Sequence, residues 1–158
     1  MKRIDVGIGD YTVSKGDDEI KTYALGSCVA LVVWDHALRC GGMIHIALPE
    51  GQINPEKAQT KPGYFADTGL PLLFAELRKL GADRRTCWVK LIGGSAILDE
   101  NKTFDIGRRN ALAVKKYLWK IGLALTSEEI GGTISRTVAL AVPSGTLTIS
   151  SGNETWTL

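Results

Sequence analysis

What the chain has little of narrows the reading first. No apolar run approaches the roughly 20 residues that a bilayer-spanning helix needs, so no direct membrane insertion is expected. Neither sign of charge prevails: 19 basic and 17 acidic residues leave a formal charge of +2, too balanced to make nucleic acid the expected partner. Metal ligands are sparse. The two histidines are His36 and His45, and the three cysteines, Cys28, Cys40 and Cys87, contain no C-x-x-C pair. Zinc fingers and ribbons do not use such spacings, so no metal site is expected. An odd cysteine count, and an opening stretch at residues 1–5 without the apolar segment of a signal peptide, predict free thiols in the cytoplasm. Gly7-Ile8-Gly9 lacks the third glycine of a dinucleotide fingerprint, and Gly93-Gly94-Ser95 lacks the lysine of a phosphate-binding loop.

What is present suits one globular domain, expected to span residues 1–158, with 44% hydrophobic and 23% charged residues. Short apolar runs bounded by Gly, Asp or Pro predict strands near residues 4–8, 11–14, 20–25, 28–34 and 43–48, and later near 86–92, 137–142 and 146–150. The last two flank Pro143-Ser144-Gly145 and read as a hairpin. Two helices are predicted. One is capped by Asp67 or Thr68, carries Pro71 in its first turn, runs to Leu80 and stops at Gly81. The other starts at Asp105 or Ile106 and runs to Gly122. Residues 49–63 show no period and are expected to form an irregular loop. Mostly strands with two helices inserted predicts an α+β fold with mixed sheets and helices outside.

The chemistry concentrates in two apolar runs. Cys28 stands where a Gly26-Ser27 turn meets Val29-Ala30-Leu31-Val32-Val33-Trp34, and His45 lies inside Met43-Ile44-His45-Ile46-Ala47-Leu48. A hairpin turning at His36 and Ala37, with Trp34 opposite Arg39, would set Cys28 directly opposite His45, close enough for a thiol–imidazole hydrogen bond. Thiolate is the nucleophile and a free cysteine is mostly protonated at neutral pH, so a neighbouring imidazole is what activates it. The imidazole needs an orienting partner in turn, and Thr22, six residues before Cys28, has the matching side-chain parity. On residue types alone two readings stand: a nucleophile–base pair, or two satisfied core residues. Cys87 reads as a small buried hydrophobe and Cys40, beside Gly41-Gly42, as a turn residue.

The blocks Thr22-Tyr23-Ala24-Leu25-Gly26-Ser27-Cys28-Val29 and Gly41-Gly42-Met43-Ile44-His45-Ile46-Ala47-Leu48-Pro49 resemble the chemoreceptor glutamine deamidase family, CheD. Further blocks match in order: Tyr64 with Asp67, Ile92-Gly93-Gly94-Ser95, Ile106-Gly107-Arg108-Arg109-Asn110, and Gly131-Gly132 with Arg136. The resemblance implies a layered α/β/β sandwich similar to the catalytic domain of deamidating bacterial toxins. It implies a cysteine hydrolase, needing no cofactor, that converts glutamine side chains of methyl-accepting chemotaxis receptors to glutamate with release of ammonia. Nucleophile, base and third member fall on Cys28, His45 and Thr22. Gly26 and Ser27, with Gly94 and Ser95, are the candidates for contacts to substrate and oxyanion. A CheC-type phosphatase is the partner implied beside the receptor. The competing reading is a non-catalytic adaptor that binds receptors or that phosphatase.

Overall fold

The computed structural model describes residues 1–97 and 103–158. Among the described residues, ten strands form two five-stranded mixed sheets. The outer sheet has the order β1 (Lys2–Asp5), β3 (Asp18–Leu25), β8 (Arg136–Ala141), β9 (Thr146–Ser151), β10 (Glu154–Thr157). The other has the order β2 (Tyr11–Ser14), β5 (Cys40–Ile46), β4 (Val29–Asp35), β6 (Cys87–Gly93), β7 (Ser127–Ile130). Each contains one parallel pair, β1 with β3 and β6 with β7.

The second sheet is the middle of three layers, which explains the unbroken apolar run of β4. A strand covered on both faces has no polar face to show. Val29, Leu31 and Val33 point to the helices, where they pack with Ile44, Val89 and Leu91 against Leu70, Leu73, Leu77, Val114 and Leu118. Ala30 and Val32 point the other way, packing with Met43 and Ile92 against Ile20, Val138, Leu140 and Ile149 of the outer sheet. Each buried leucine or isoleucine contributes about 1.5–3 kcal/mol. The α/β/β layering expected from the resemblance is therefore what the two apolar clusters build.

Local expectations fare unevenly. The helix α2 (Ala66–Lys79) starts before Asp67, so Pro71 lies inside it and not in its first turn. Asp67 instead uses its carboxylate to accept the Gly51 N–H at 2.8 Å. The helix α3 (Ile106–Lys120) buries a stripe of Ala111, Val114 and Leu118. Residues 49–63 are not irregular. They hold a 3-10 turn at Gly51–Ile53, the short helix α1 (Pro55–Thr60) and a second 3-10 turn at Pro62–Tyr64. Asn54 caps α1 by accepting the Lys57 N–H at 3.2 Å, with Pro55 as its first helical residue. Cys40 is not a turn residue either; it is buried as the first residue of β5, opposite Asp35.

Candidate active site

The β4–β5 hairpin carries both principal residues, and its register differs from expectation by two. Asp35 pairs with Cys40 and Ala30 with His45, so Cys28 is diagonal to His45 instead of opposite it. The cause lies in the turn. The Asp35 carboxylate accepts the N–H groups of Ala37 and Leu38 at 2.9 and 3.1 Å, and Arg39 adopts a left-handed conformation with φ of 52°. These contacts fix a turn over residues 36–39. Parity survives a shift of two, so His45 keeps the face of Ala30, toward the outer sheet. Cys28, just before β4, packs half-buried at the rim of the cluster on that same face.

Thr22 reaches the imidazole from the opposite sheet. It sits in β3, where the register slips between Thr22 and Leu25 at a bulge that holds Ala24 at φ 52°. This bulge defeats a parity count from Thr22 to Cys28, and it lets both Thr22 and Leu25 point inward. Thr22 Oγ1 lies 2.6 Å from the Val6 carbonyl oxygen and 2.7 Å from His45 Nδ1. A hydroxyl has one proton. If the ring received it, two bare acceptor oxygens would face each other at 2.6 Å. The hydroxyl therefore donates to Val6, and His45 Nδ1–H donates to Thr22. Nε2 is left as the unprotonated nitrogen, and among the described residues it has no hydrogen-bond partner although buried.

Electrostatics keep the pair neutral at rest. Burial pushes the His45 imidazolium down to about 4, against a small opposing pull from Asp10. Burial likewise raises the Cys28 thiol, partly offset by its own backbone N–H. The neutral ring keeps a free lone pair on Nε2 that can accept a proton, and among the described residues no hydrogen bond joins it to the Cys28 thiol.

The loop bearing Cys28 is held from behind. Gly94 N–H donates to Cys28 O at 2.9 Å, while Ser95 donates to Gly26 O through both its N–H and its hydroxyl, each at 2.9 Å. Gly94 and Ser95 are buried and spend these donors on the loop that carries Cys28. Gly93, with φ of +112°, comes so close that a Cβ there would lie 2.4 Å from Cys28 O. Ser27 is exposed and Gly26 half-exposed. Among the described residues, neither the Ser27 nor the Cys28 N–H donates to a backbone or side-chain oxygen.

The family model described as CheD chemotactic sensory transduction matches residues 47–151. This chain belongs to the CheD family. Similar proteins include the probable chemoreceptor glutamine deamidase CheD of Syntrophotalea carbinolica, 49% identical and covering 95% of this chain and 94% of its own length. The probable chemoreceptor glutamine deamidase CheD 2 of Anaeromyxobacter dehalogenans is 46% identical over 98% of both chains. That of Solibacter usitatus is 43% identical over 93% of this chain and 88% of its own.

Two features of this CheD chain escaped the sequence reading. Asn110, in the first turns of α3, donates from Nδ2 to the carbonyls of Ser27 and Ala47, each at 3.0 Å. Gly107 lets the start of α3 touch the backing loop, since a Cβ on it would meet Gly94 O at 2.4 Å. The Ile106-Gly107-Arg108-Arg109-Asn110 block was the available signal, but spacing alone assigns it no role. No helix among the described residues is long and apolar enough to cross a membrane. A cavity of about 520 Å³, lined by residues such as Phe74, Leu77 and Cys87, lies at the opposite end of β4, near Val33.

Proposed function

We propose that this chain hydrolyses selected glutamine side chains of chemoreceptors to glutamate, releasing ammonia, with Cys28 as nucleophile, His45 as general base and Thr22 as its orienting partner. One observation carries the roles: the proton count at Thr22, which leaves His45 Nε2 as an unprotonated, unpartnered acceptor near the cysteine loop. The relatives' names supply the substrate class.

The Cys28 Sγ–H proton passes to His45 Nε2 as sulfur bonds to the glutamine side-chain carbonyl carbon. Because burial disfavours both ions of a resting thiolate–imidazolium pair, this transfer accompanies attack and does not precede it. The oxyanion meets the Ser27 and Cys28 N–H groups; one such donor is worth about 3 kcal/mol in hydrolases of this kind. The imidazolium returns its proton to the departing nitrogen, the C–N bond breaks, ammonia leaves and a thioester remains. Water then gives a proton to His45 and attacks the thioester. Glutamate is released and the thiol re-forms, so water is the only co-reactant. Thr22 holds the ring in one tautomer throughout, as the third member of other triads does.

The reaction needs a free thiol, which suits a reducing cytoplasm. The resemblance adds a CheC-type phosphatase as a second partner, tested by co-purification at native levels. The decisive assay incubates the chain with a purified receptor signalling domain. Ammonia release, with receptor glutamines gaining the small mass of an amide-to-acid exchange, is the expected result. Receptor binding without either change would leave an adaptor.

A further inference from the structure

We propose that Asn110 is a positioning residue for the reaction, a clasp that sets the nucleophile loop against the histidine strand and aims the Cys28 N–H; this rests on the deamidase reading above.

Asn110 is fully buried, and its one NH2 group reaches two chain segments far apart in sequence. Ser27 O belongs to the peptide that precedes Cys28. Ala47 O lies two residues beyond His45. A single planar amide thus ties the segment carrying the sulfur to the segment carrying the base. Holding Ser27 O has a second consequence. In a trans peptide the carbonyl and the following N–H point in opposite directions. Fixing Ser27 O toward α3 therefore turns the Cys28 N–H away from α3; among the described residues it donates to no oxygen and lies against its own sulfur. An oxyanion formed on attack by that sulfur would meet it.

The residue type fits this task closely. Two carbonyls need two donors from one short side chain, which Asn supplies and Ser, Thr or Asp does not. The choice leaves Asn110 Oδ1 buried and without a partner among the described residues. An unpaired buried acceptor is unfavourable and calls for a reason. Here the reason is the other end of the amide. The backbone supports the same role, because Gly107 allows α3 to approach Gly94 closely enough for Asn110 to reach across.

The test uses Asn110→Ala and Asn110→Leu, the second filling the space without donating. Two readouts are taken on each, amide hydrogen exchange and receptor deamidation kinetics. Gly94 and Ser95 N–H groups bond to the cysteine loop and report its looseness directly. We expect these two amides to exchange at least about tenfold faster while those of the middle of β4 keep their rates, and kcat to fall about 30-fold or more with KM within about threefold. A general loss of stability would instead speed all the amides together. Unchanged exchange at Gly94 and Ser95, kcat within about twofold of wild type, or failure of both variants to fold would each overturn the proposal. A wild-type chain that releases no ammonia would sink the deamidase reading alone, since the exchange rates still show whether Asn110 holds the loop.

Discussion

Each end of β4 has a cysteine and a polar acceptor in its neighbourhood, yet the two ends build opposite environments for the thiol. At the Asp35 end, Cys87 of β6 sits across from a carboxylate, with Sγ 3.9 Å from Asp35 Oδ2. Burial, then the charges of Asp35 and Cys40, push that thiol up to about 12. The Asp35 carboxylate is itself occupied: despite burial, N–H donors from Asp83, Leu38 and Ala37 hold it below the usual range. It is a stable anion beside a sulfur, and an anion repels a second one. At the other end the acceptor is a neutral ring whose free nitrogen can take a proton and whose far side is tied to Thr22. What matters is therefore whether the neighbour can receive the proton without already bearing charge.

Replacing each sulfur in turn breaks this comparison most strongly. Cys28→Ala should lower ammonia release from receptor by more than about 1,000-fold, the usual scale for removing a nucleophile. Cys87→Ala, at the inert end, should leave turnover at the wild-type level. Adding His45→Ala to Cys28→Ala should cost little further, because groups acting as one unit are non-additive. Equal losses from Cys28→Ala and Cys87→Ala would end the distinction between the two ends.

Stability against pH separates the ends next. His45 is only 3% exposed, and its folded value of about 4 lies below the 6.5 of an unfolded histidine. The unfolded chain therefore binds the proton first. Stability should be full above pH 6.5 and fall as pH drops toward 4, by up to about 3 kcal/mol. Asp35 also has a depressed value, but its contribution is lost only at lower pH, below the carboxylate range. Denaturant midpoints between pH 7 and pH 4 measure the first loss, and His45→Gln should remove that slope.

Thr22 sharpens the comparison through the tautomer. Thr22→Val strands the ring N–H and the Val6 carbonyl, and should lower kcat roughly 10- to 100-fold with KM little changed. Thr22→Ser keeps the hydroxyl and should restore most of the rate. A Val variant as active as Ser would mean that the ring is oriented by packing alone.

How far this was legible in the sequence depends on what kind of signal each part leaves. The middle sheet was readable because a strand buried on both faces is a run of apolar residues, and α3 because its buried stripe repeats at the helical period. β7 and β10 were not read: Ser127–Ile130 and Glu154–Thr157 are short, polar edge strands whose pairing is set by their neighbours. Cys28 and His45 stood out as residue types near one another, but their register turned on Asp35 accepting two N–H groups, which no pattern of apolar residues encodes. The contact between Thr22 and His45 could not be read from parity, because the bulge at Ala24 breaks the count between Thr22 and Cys28. Asn110 left the faintest trace. Its partners are backbone carbonyls, and every residue has one, so only the folded chain identifies which two it meets.

The smallest expected effect lies in the inert end itself. Asp35→Asn removes the charge that opposes a Cys87 thiolate but leaves the burial, which is the larger influence. Iodoacetamide should then modify Cys87 only a few-fold faster than in the wild type, with the rate still climbing at alkaline pH. Cys28, at the far end of the strand, should keep its own rate, since charges so far apart are largely screened at ordinary salt. Burial therefore sets the ceiling on thiol reactivity at both ends, and the neighbouring group decides what happens beneath it. If Asp35→Asn brought Cys87 to the reactivity of an exposed thiol, charge and not burial would be the dominant control.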